Sequence, residues 1–340
     1  MNNKHYPWID RIKYLVSFLV LVIHFRPLSD YNPIIDFSSA QIVSRIAVPF
    51  FFISSGYFLG VNGLSKENAN KSIKKNFKLY LVWTVLYLPI SVLFFMPVFG
   101  NIIVNFTVLG FYYHLWFIPA LLFSLVAMYF LNKYLKPLTI TIISFIFFCV
   151  GVFGDAYYGL LPKGILLDLM NQFLQIFRTT RNGLFFGLLF VALGYLIQKT
   201  QIQDRIRVKY AWIGFILSYS LMFVEMGLLM TYTEPFEYNM YFSMIPTTFF
   251  LLVLCLHYPS ETSGQDYRIK SSVIYFSHFL VYYFMYGLFS LLNLNFILSS
   301  SIGRYSIAVI GSILFSNYVL SQKKKNKKWT SYLISLIVYG

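Results

Sequence analysis

Lys13 and His24 lie in the first apolar segment of the chain, eleven residues apart. In an α-helix the direction of the side chain turns by about 100° per residue, so after eleven residues it is within about 20° of where it began. Both side chains therefore share one helix face and lie about 16 Å apart along the helix axis. Ser17 and Val20 lie between them on that stripe. The pattern puts a basic group near the inner surface and a titratable group towards the outer surface on one line through the membrane, and a histidine can take up or release a proton near neutral pH. The alternatives are snorkelling of Lys13 to the membrane interface and a packing role for His24.

The composition of the chain is that of a membrane protein. Of its 340 residues, 58% are hydrophobic and 11% are charged, whereas soluble domains have about 45–50% and about 25%. This excludes a soluble globular enzyme. Cys149 and Cys255 both lie in apolar runs, which excludes a disulfide framework. The net charge of +15 indicates membrane orientation, and no nucleic-acid partner is expected.

Ten segments of the chain are candidates to cross a bilayer, which takes about 20 largely apolar residues. The sequence therefore predicts an all-α fold, a polytopic membrane bundle of about ten transmembrane helices. Two further apolar stretches, Ile102–Leu109 and Trp329–Gly340, are too short for an unambiguous span. The ten segments lie near residues 10–27, 43–61, 78–97, 115–132, 138–154, 183–198, 211–230, 241–257, 272–292 and 302–320.

The distribution of basic residues predicts how the bundle is oriented. With the N-terminus inside and the segments alternating, 21 of the 27 Lys and Arg residues fall on the inner side. Because cytoplasmic loops are enriched in Lys and Arg, both termini are expected to be cytoplasmic, in a multi-pass protein of a cell membrane. We expect a transmembrane domain over residues 1–321 and a basic cytoplasmic tail with a short apolar end over 322–340.

Three motifs, in this order, resemble the acyltransferase-3 family of integral membrane acyltransferases. They are Asp10-x-x-Lys13 followed by ten residues and His24, the segment RIAVPFFFISSGY that begins at Arg45, and Tyr275-Phe276-Ser277-His278. The resemblance implies an O-acyltransferase that takes an acyl group, expected to be acetyl, from cytosolic acyl-coenzyme A. The acceptor would be extracytoplasmic, such as an envelope polysaccharide or another small acceptor. The coenzyme is a donor substrate, and no bound cofactor is expected.

This resemblance gives the other charged and histidine residues candidate roles. Cations near the inner surface would meet the coenzyme phosphates, and donors at outer ends of spans would stabilise the oxyanion and bind the acceptor. Packing for His278 and a loop ion pair between Asp155 and Arg181 are the alternatives. No metal-ligand spacing is present. The predicted catalytic residues are His24 and Lys13, the coenzyme-binding residues Lys13, Arg11, Lys78 and His278, and the acceptor-binding residues Arg45, His114, Asp155 and Arg181.

Three middle segments resemble the membrane half of vancomycin-resistance serine racemases. They are YHLWFIPA from Tyr113, FGDAYYG from Phe153 and TRNGLFF from Thr180. In those proteins the membrane half precedes a soluble pyridoxal-phosphate racemase half. The present chain ends after the spans, so racemase activity is not expected of it. The resemblance supports an alternative function, a membrane carrier for a small polar solute such as L-serine, with a separately encoded soluble partner enzyme.

Overall fold

The computed structural model describes residues 6–95, 102–260, 262–325 and 338. Among these residues there are helices and no β-strand, which confirms the predicted all-α class. The α-helices are α1 (Pro7–Phe25), α2 (Pro33–Phe37), α3 (Ala47–Asn62), α4 (Lys66–Phe95), α5 (Ile102–Val104), α6 (Phe117–Leu131), α7 (Pro137–Phe153), α8 (Ile165–Phe177), α9 (Leu188–Thr200), α10 (Val208–Tyr232), α11 (Met244–Leu256), α12 (Gln265–Leu291), α13 (Asn295–Ser299) and α14 (Ser301–Lys324).

Each of the ten apolar segments coincides with a helix, namely α1, α3, α4, α6, α7, α9, α10, α11, α12 and α14. Within the described ranges, five helical stretches are long and apolar enough to cross a membrane. Three of these begin before their main α-helix. Pro33–Asn62 begins at α2 and continues through the irregular turns 38–46 into α3, and the other two begin in the 3-10 turn Tyr113–Trp116 and the π-helical turn Gly183–Gly187. The count of ten crossings and the orientation of the termini stay predictions. The five stretches are Pro33–Asn62, Tyr113–Leu131, Gly183–Thr200, Val208–Tyr232 and Gln265–Leu291.

The structure describes the first of the two short apolar stretches in full, but little of the second. Ile102–Leu109 forms α5 and a following π-helical turn, Asn105–Leu109. Eight helical residues span about 12 Å, which is too short to cross a hydrocarbon core. The basic tail begins within α14, which ends at Lys324. Most of Trp329–Gly340 lies outside the described residues.

The described residues divide into two compact units, and the first comprises residues 6–48, 255–260, 262–325 and 338. In it α1 packs against α12 and α14. Leu21 and Phe25 of α1, Ile274 of α12 and Ala308 of α14 form one buried cluster. In a membrane, van der Waals packing of such side chains stabilises the contact between helices. This packing holds the face of α1 that carries the predicted catalytic residues.

Three carboxylates accept hydrogen bonds from groups near the ends of helices in this unit. The guanidinium of Arg268 donates to both oxygens of Asp10, with the shortest N–O distance 2.8 Å, and Asp10 is 2% exposed. At the opposite end of α1, Arg26 Nε donates to Asp36 (2.7 Å). The backbone N–H of Ser301 donates to Asp30, and this bond keeps the pKa of the Asp30 carboxyl below its ordinary value.

Among the described residues, the second unit comprises 49–95 and 102–254. Its helices α4, α6, α7 and α9 pack against one another, and α3 crosses α9 at two glycines. A Cβ on Gly194 would lie 1.9 Å from the carbonyl oxygen of Ile53, and one on Gly56 would lie 2.0 Å from that of Val191. Small residues at such a crossing let two backbones touch, as is typical of helix pairs in membranes.

Candidate functional site

The stripe on α1 that joins Lys13 to His24 faces the protein interior. Ser17 and Val20, which lie between them, are 0% and 2% exposed. The Ser17 hydroxyl donates to the carbonyl oxygen of Tyr14 (2.7 Å). Lys13 and His24 are themselves half-buried. A cation and a histidine are therefore placed on a face of α1 that is covered by protein.

The ring of His24 lies against a second histidine, His278 of α12. The two rings stack with centroids 5.4 Å apart, and Phe279 packs edge-on to His24 at 5.0 Å. His278 is completely buried, and its Nδ1 lies 2.8 Å from the carbonyl oxygen of Tyr275 and 3.2 Å from that of Ile274. A carbonyl oxygen only accepts, so Nδ1 carries the hydrogen. The sequence placed His278 in the inner half of its span and His24 towards the outer surface, whereas the structure puts both at one level.

Arg11 is held by aromatic rings one turn from the N-terminus of α1. Its guanidinium carbon lies 4.8 Å from the ring centre of Trp8 and 5.8 Å from that of Tyr267. Such stacking fixes a guanidinium while leaving its edge able to bind a phosphate. Lys78 of α4 is exposed and belongs to the second unit.

In the second unit Asp155 and Arg181 are joined through Asn239. Asn239 donates its backbone N–H to Asp155 Oδ1 (2.6 Å) and its amide Nδ2 to Asp155 Oδ2 (2.9 Å). Arg181 Nη1 donates to Asn239 Oδ1 (3.0 Å), and its guanidinium lies 4.6 Å from the ring centre of Trp116. The predicted acceptor-binding residues Asp155 and Arg181 thus form one polar cluster, with Asn239 as the link between them.

Glu225, the acidic residue deep in α10, binds the segment that precedes α11. Its carboxylate accepts from the hydroxyl of Tyr157 (2.6 Å) and from the backbone N–H groups of Phe242 (2.7 Å) and Ser243 (2.8 Å). Burial and this hydrogen bond raise the pKa of Tyr157. Together with Asp155, which also accepts from Met240 N (3.0 Å), Glu225 fixes the segment that carries Asn239.

His114 lies in an aromatic cluster and is 1% exposed. Its ring packs edge-on to Tyr87 at 5.0 Å and to Tyr112 at 5.8 Å, and those two tyrosines stack on each other at 4.6 Å. Arg45, in the first unit, donates from Nε to Gln41 Oε1 (2.9 Å). The gathering of Arg45, His114 and Arg181 at one mouth stays a prediction.

Sequence reasoning missed three features of these sites. Neither the contact between His24 and His278 nor the bridging role of Asn239 has a spacing signal, because the partners are far apart in the chain. The role of Glu225 had a partial signal, since an intramembrane carboxylate requires donors. Those donors are a tyrosine hydroxyl and backbone N–H groups, which no sequence pattern singles out.

The described residues form helices and no β-strand, several of the helical stretches are of membrane length, and a cation and a histidine lie on the interior face of the first helix. These features define a multi-pass membrane protein. Residues 6–320 match the acyltransferase domain of the acyltransferase-3 family. The chain therefore belongs to the acyltransferase-3 family.

Curated relatives of the chain include racemases of enterococci. It is 31% identical over 286 residues to an amino-acid racemase of Enterococcus faecalis, covering 81% of this chain and 39% of that protein. It is 29% identical over 334 residues to the serine/alanine racemase of Enterococcus gallinarum, covering 95% of this chain and 47% of that protein. The chain thus spans less than half the length of these relatives. No solved structure matches it.

Proposed function

We propose that the protein is a membrane O-acyltransferase that moves an acetyl group from cytosolic acetyl-coenzyme A to a hydroxyl of an extracytoplasmic envelope acceptor. One observation carries the proposal: His24, in a chain of the acyltransferase-3 family, lies on the interior face of α1 with His278 stacked against it. Histidine is the side chain whose ordinary pKa suits proton transfer at neutral pH.

In the proposed reaction His24 is the general base. It takes the proton of the acceptor hydroxyl while the hydroxyl oxygen attacks the thioester carbonyl carbon. The carbon–sulfur bond then breaks, the acetyl group stays on the acceptor oxygen, and the coenzyme thiolate receives the proton from His24. Arg45, His114 and Arg181 are the proposed donors to the oxyanion and acceptor, and Asp155 orients Arg181 through Asn239.

Basic residues are proposed to bind the coenzyme on the cytosolic side. Lys13 continues the His24 stripe, and Arg11 is fixed by Trp8 and Tyr267 with its edge free to approach a phosphate. Lys78 is exposed and positively charged. His278 was the fourth predicted coenzyme-binding residue, and its stacking on His24 favours positioning of the base as its role.

This function rests on the predicted topology. Ten crossings with both termini in the cytoplasm, in a bacterial plasma membrane, place the cations near the coenzyme and the outer ends of the spans near the acceptor. The five membrane-length helices and the 21-to-6 split of basic residues support this arrangement.

Purified protein incubated with radiolabelled acetyl-coenzyme A and envelope fractions tests the proposal. We expect label in the envelope fraction, and about 10²–10⁴-fold less of it with His24→Ala, since general-base catalysis contributes that much. The matched control is His257→Ala, which removes a half-buried histidine outside the candidate site. Normal transfer by His24→Ala, or no transfer by the native protein, would contradict the proposal.

A carrier for a small polar solute such as L-serine is the second candidate function. The observation that favours it is the similarity to proteins named as amino-acid racemases, and a separately encoded soluble enzyme would be its partner. Uptake of labelled L-serine into vesicles separates the two functions. Uptake that falls with Lys13→Ala, without acetyl transfer by the native protein, would establish the carrier.

A further inference from the structure

Arg11 lies between two aromatic rings at the start of α1, in the first unit. Its guanidinium carbon is 4.8 Å from the ring centre of Trp8 and 5.8 Å from that of Tyr267, in the first turn of α12. Trp8 precedes Arg11 by one helical turn, so both project from one side of α1. We call Trp8, Arg11 and Tyr267 the aromatic–arginine platform.

The two rings of the platform keep much of their surface exposed. Trp8 is 40% exposed and Tyr267 is 39% exposed, although each packs against a further ring. The ring centre of Tyr258 lies 6.3 Å from that of Trp8, and the ring centre of Tyr14 lies 5.6 Å from that of Tyr267. These contacts restrict how the two rings can turn. Aromatic rings that are held in place and exposed can stack on a planar ligand such as a nucleobase.

The two helix ends that carry the platform are fixed to each other. Asp10 of α1 is buried and accepts hydrogen bonds from the guanidinium of Arg268 in α12. Gly264 precedes α12 and lies so close to Asp10 that a Cβ there would be 2.8 Å from the Asp10 carboxylate. The ion pair and this close approach set the spacing of the two rings around the guanidinium.

The described carboxylates beside the platform bind cations other than Arg11. Asp10 pairs with Arg268 (2.8 Å), and Asp266 pairs with Lys324 of α14 (2.6 Å). Arg11 Nε is buried and has no hydrogen-bond partner among the described residues. A buried donor without an acceptor is costly. The guanidinium is therefore suited to an added acceptor, and a phosphate is the group that arginine binds well.

The surrounding charge also favours an anion. The helix ends that meet here, residues 6–14, 257–271 and 321–325, contain seven Lys and Arg residues. They contain three carboxylates, of which Glu261 lies outside the described residues. The excess of positive charge remains when Glu261 is counted. The cations are Arg11, Lys13, Arg268, Lys270, Lys323, Lys324 and Lys325.

The platform lies at one end of a face of α12 whose other end reaches the paired histidines. Tyr267 and His278 are eleven residues apart, so they share one face of α12 and lie about 16 Å apart along its axis. His278 stacks on the proposed base, His24. A donor that reaches both places must carry its reactive group far from its anionic end. Coenzyme A has this form, because its thiol ends a long pantetheine arm and its nucleotide carries the adenine and the phosphates.

We propose that the aromatic–arginine platform binds the nucleotide end of coenzyme A. The adenine base stacks on the exposed parts of Trp8 and Tyr267, and a phosphate oxygen accepts hydrogen bonds from Arg11. This inference rests on the proposed acyltransferase function, and it assigns to the donor two aromatic residues that the sequence did not single out. The other role open to such rings is anchoring at the membrane surface, where Trp and Tyr are enriched.

Adenosine 3′,5′-bisphosphate tests the platform without acetyl transfer, because it has the base and phosphates of the coenzyme but no pantetheine arm and no thioester. The purified full chain is titrated in nanodiscs while tryptophan fluorescence and the heat of binding are recorded. We expect saturable binding that quenches the fluorescence. Trp8→Phe keeps a ring and should bind with similar affinity, but without most of the quenching. No binding by the native protein, or quenching that survives Trp8→Phe, would overturn the platform.

Matched variants separate nucleotide binding from anchoring. Trp8→Ala should weaken binding of the bisphosphate about tenfold, as expected for loss of base stacking. Trp212→Ala, at an exposed tryptophan of α10, should not change it. Arg11→Ala should also weaken binding about tenfold, whereas Arg207→Ala, at the exposed arginine before α10, should not. Equal affinities of Trp8→Ala and Trp212→Ala would overturn the assignment of Trp8 to the nucleotide.

Acetyl-transfer kinetics separate this inference from the proposed function. If both hold, Trp8→Ala raises KM for acetyl-coenzyme A and leaves kcat nearly unchanged, because the base is far from the thioester. Transfer whose KM does not respond to Trp8→Ala would overturn the platform and leave the acyltransferase standing. Bisphosphate binding that depends on Trp8, without any acetyl transfer, would overturn the acyltransferase and support the platform as a nucleotide site.

Discussion

At the scale of single residues, the paired histidines are the feature with most consequence for chemistry. His278 Nδ1 donates to a backbone carbonyl, which fixes the orientation of its ring in the interior. His24 stacks on that ring, so its own orientation is restricted. A base that is held in place needs no reorganisation when the hydroxyl arrives. In the proposed reaction, this arrangement would make His278 a positioning residue for His24.

A substitution at His278 separates positioning from coenzyme binding. If His278 positions His24, His278→Ala should lower kcat and leave KM for acetyl-coenzyme A nearly unchanged. His278→Phe, which preserves a ring at this position, should recover part of kcat. Steady-state kinetics on membranes with matched protein content measure both quantities. A rise in KM with unchanged kcat would instead support the coenzyme-binding role.

Lys13 is expected to act on binding and not on chemistry. Lys13→Ala removes the cation and should raise KM for acetyl-coenzyme A by about tenfold, as expected for loss of a charge-assisted contact of about 1.5 kcal/mol. Lys13→Arg keeps the charge and should retain much of the activity. Initial rates over a range of acetyl-coenzyme A concentrations provide the comparison. A large fall in kcat with Lys13→Arg would place Lys13 in the chemical step.

At the scale of helices, the second unit depends on backbone contacts that side-chain patterns do not reveal. The apolar segments predicted the positions of ten of the fourteen described α-helices, because length and hydropathy depend on local sequence alone. They did not predict the crossing of α3 and α9 at Gly56 and Gly194. Nor did they predict the hydrogen bonds that Glu225 accepts from the segment before α11. Both join residues distant in sequence, so local pattern carries no signal for them.

The crossing of α3 and α9 should be sensitive to a single methyl group. Gly194→Ala would place a Cβ 1.9 Å from the Ile53 carbonyl oxygen, so the helices must separate, at a cost of about 1–3 kcal/mol. Gly227→Ala in α10 is the matched control, because nothing lies within 4 Å of that Cβ. Thermal unfolding in detergent should show a lower Tm for Gly194→Ala alone. Equal Tm values for both variants would contradict the close crossing.

At the scale of the whole molecule, the proposed reaction needs a fixed orientation in the membrane. The donor is an anion of the cytosol, whereas the acceptor is extracytoplasmic, so coenzyme-binding and acceptor-binding residues must face opposite sides. The charge split predicts that Arg11, Lys13 and Lys78 lie on the inner side and Arg45 and Arg181 on the outer side. Among its described residues the structure contains five helical stretches long and apolar enough to cross a membrane. The ten crossings and their direction across the bilayer are predictions from hydropathy and charge.

Single cysteines report that direction in whole cells. The two native cysteines are free thiols, and Cys149→Ser with Cys255→Ser gives the background. Lys163→Cys and Lys74→Cys then place one thiol on each predicted side, at residues that are both exposed. A membrane-impermeant maleimide should label Lys163→Cys in intact cells and Lys74→Cys only after permeabilisation. Because 21 of 27 basic residues lie on the predicted inner side, the reverse pattern would require most of them to be translocated. That result would contradict the orientation, and with it the placement of Arg11 and Lys13 towards cytosolic coenzyme A.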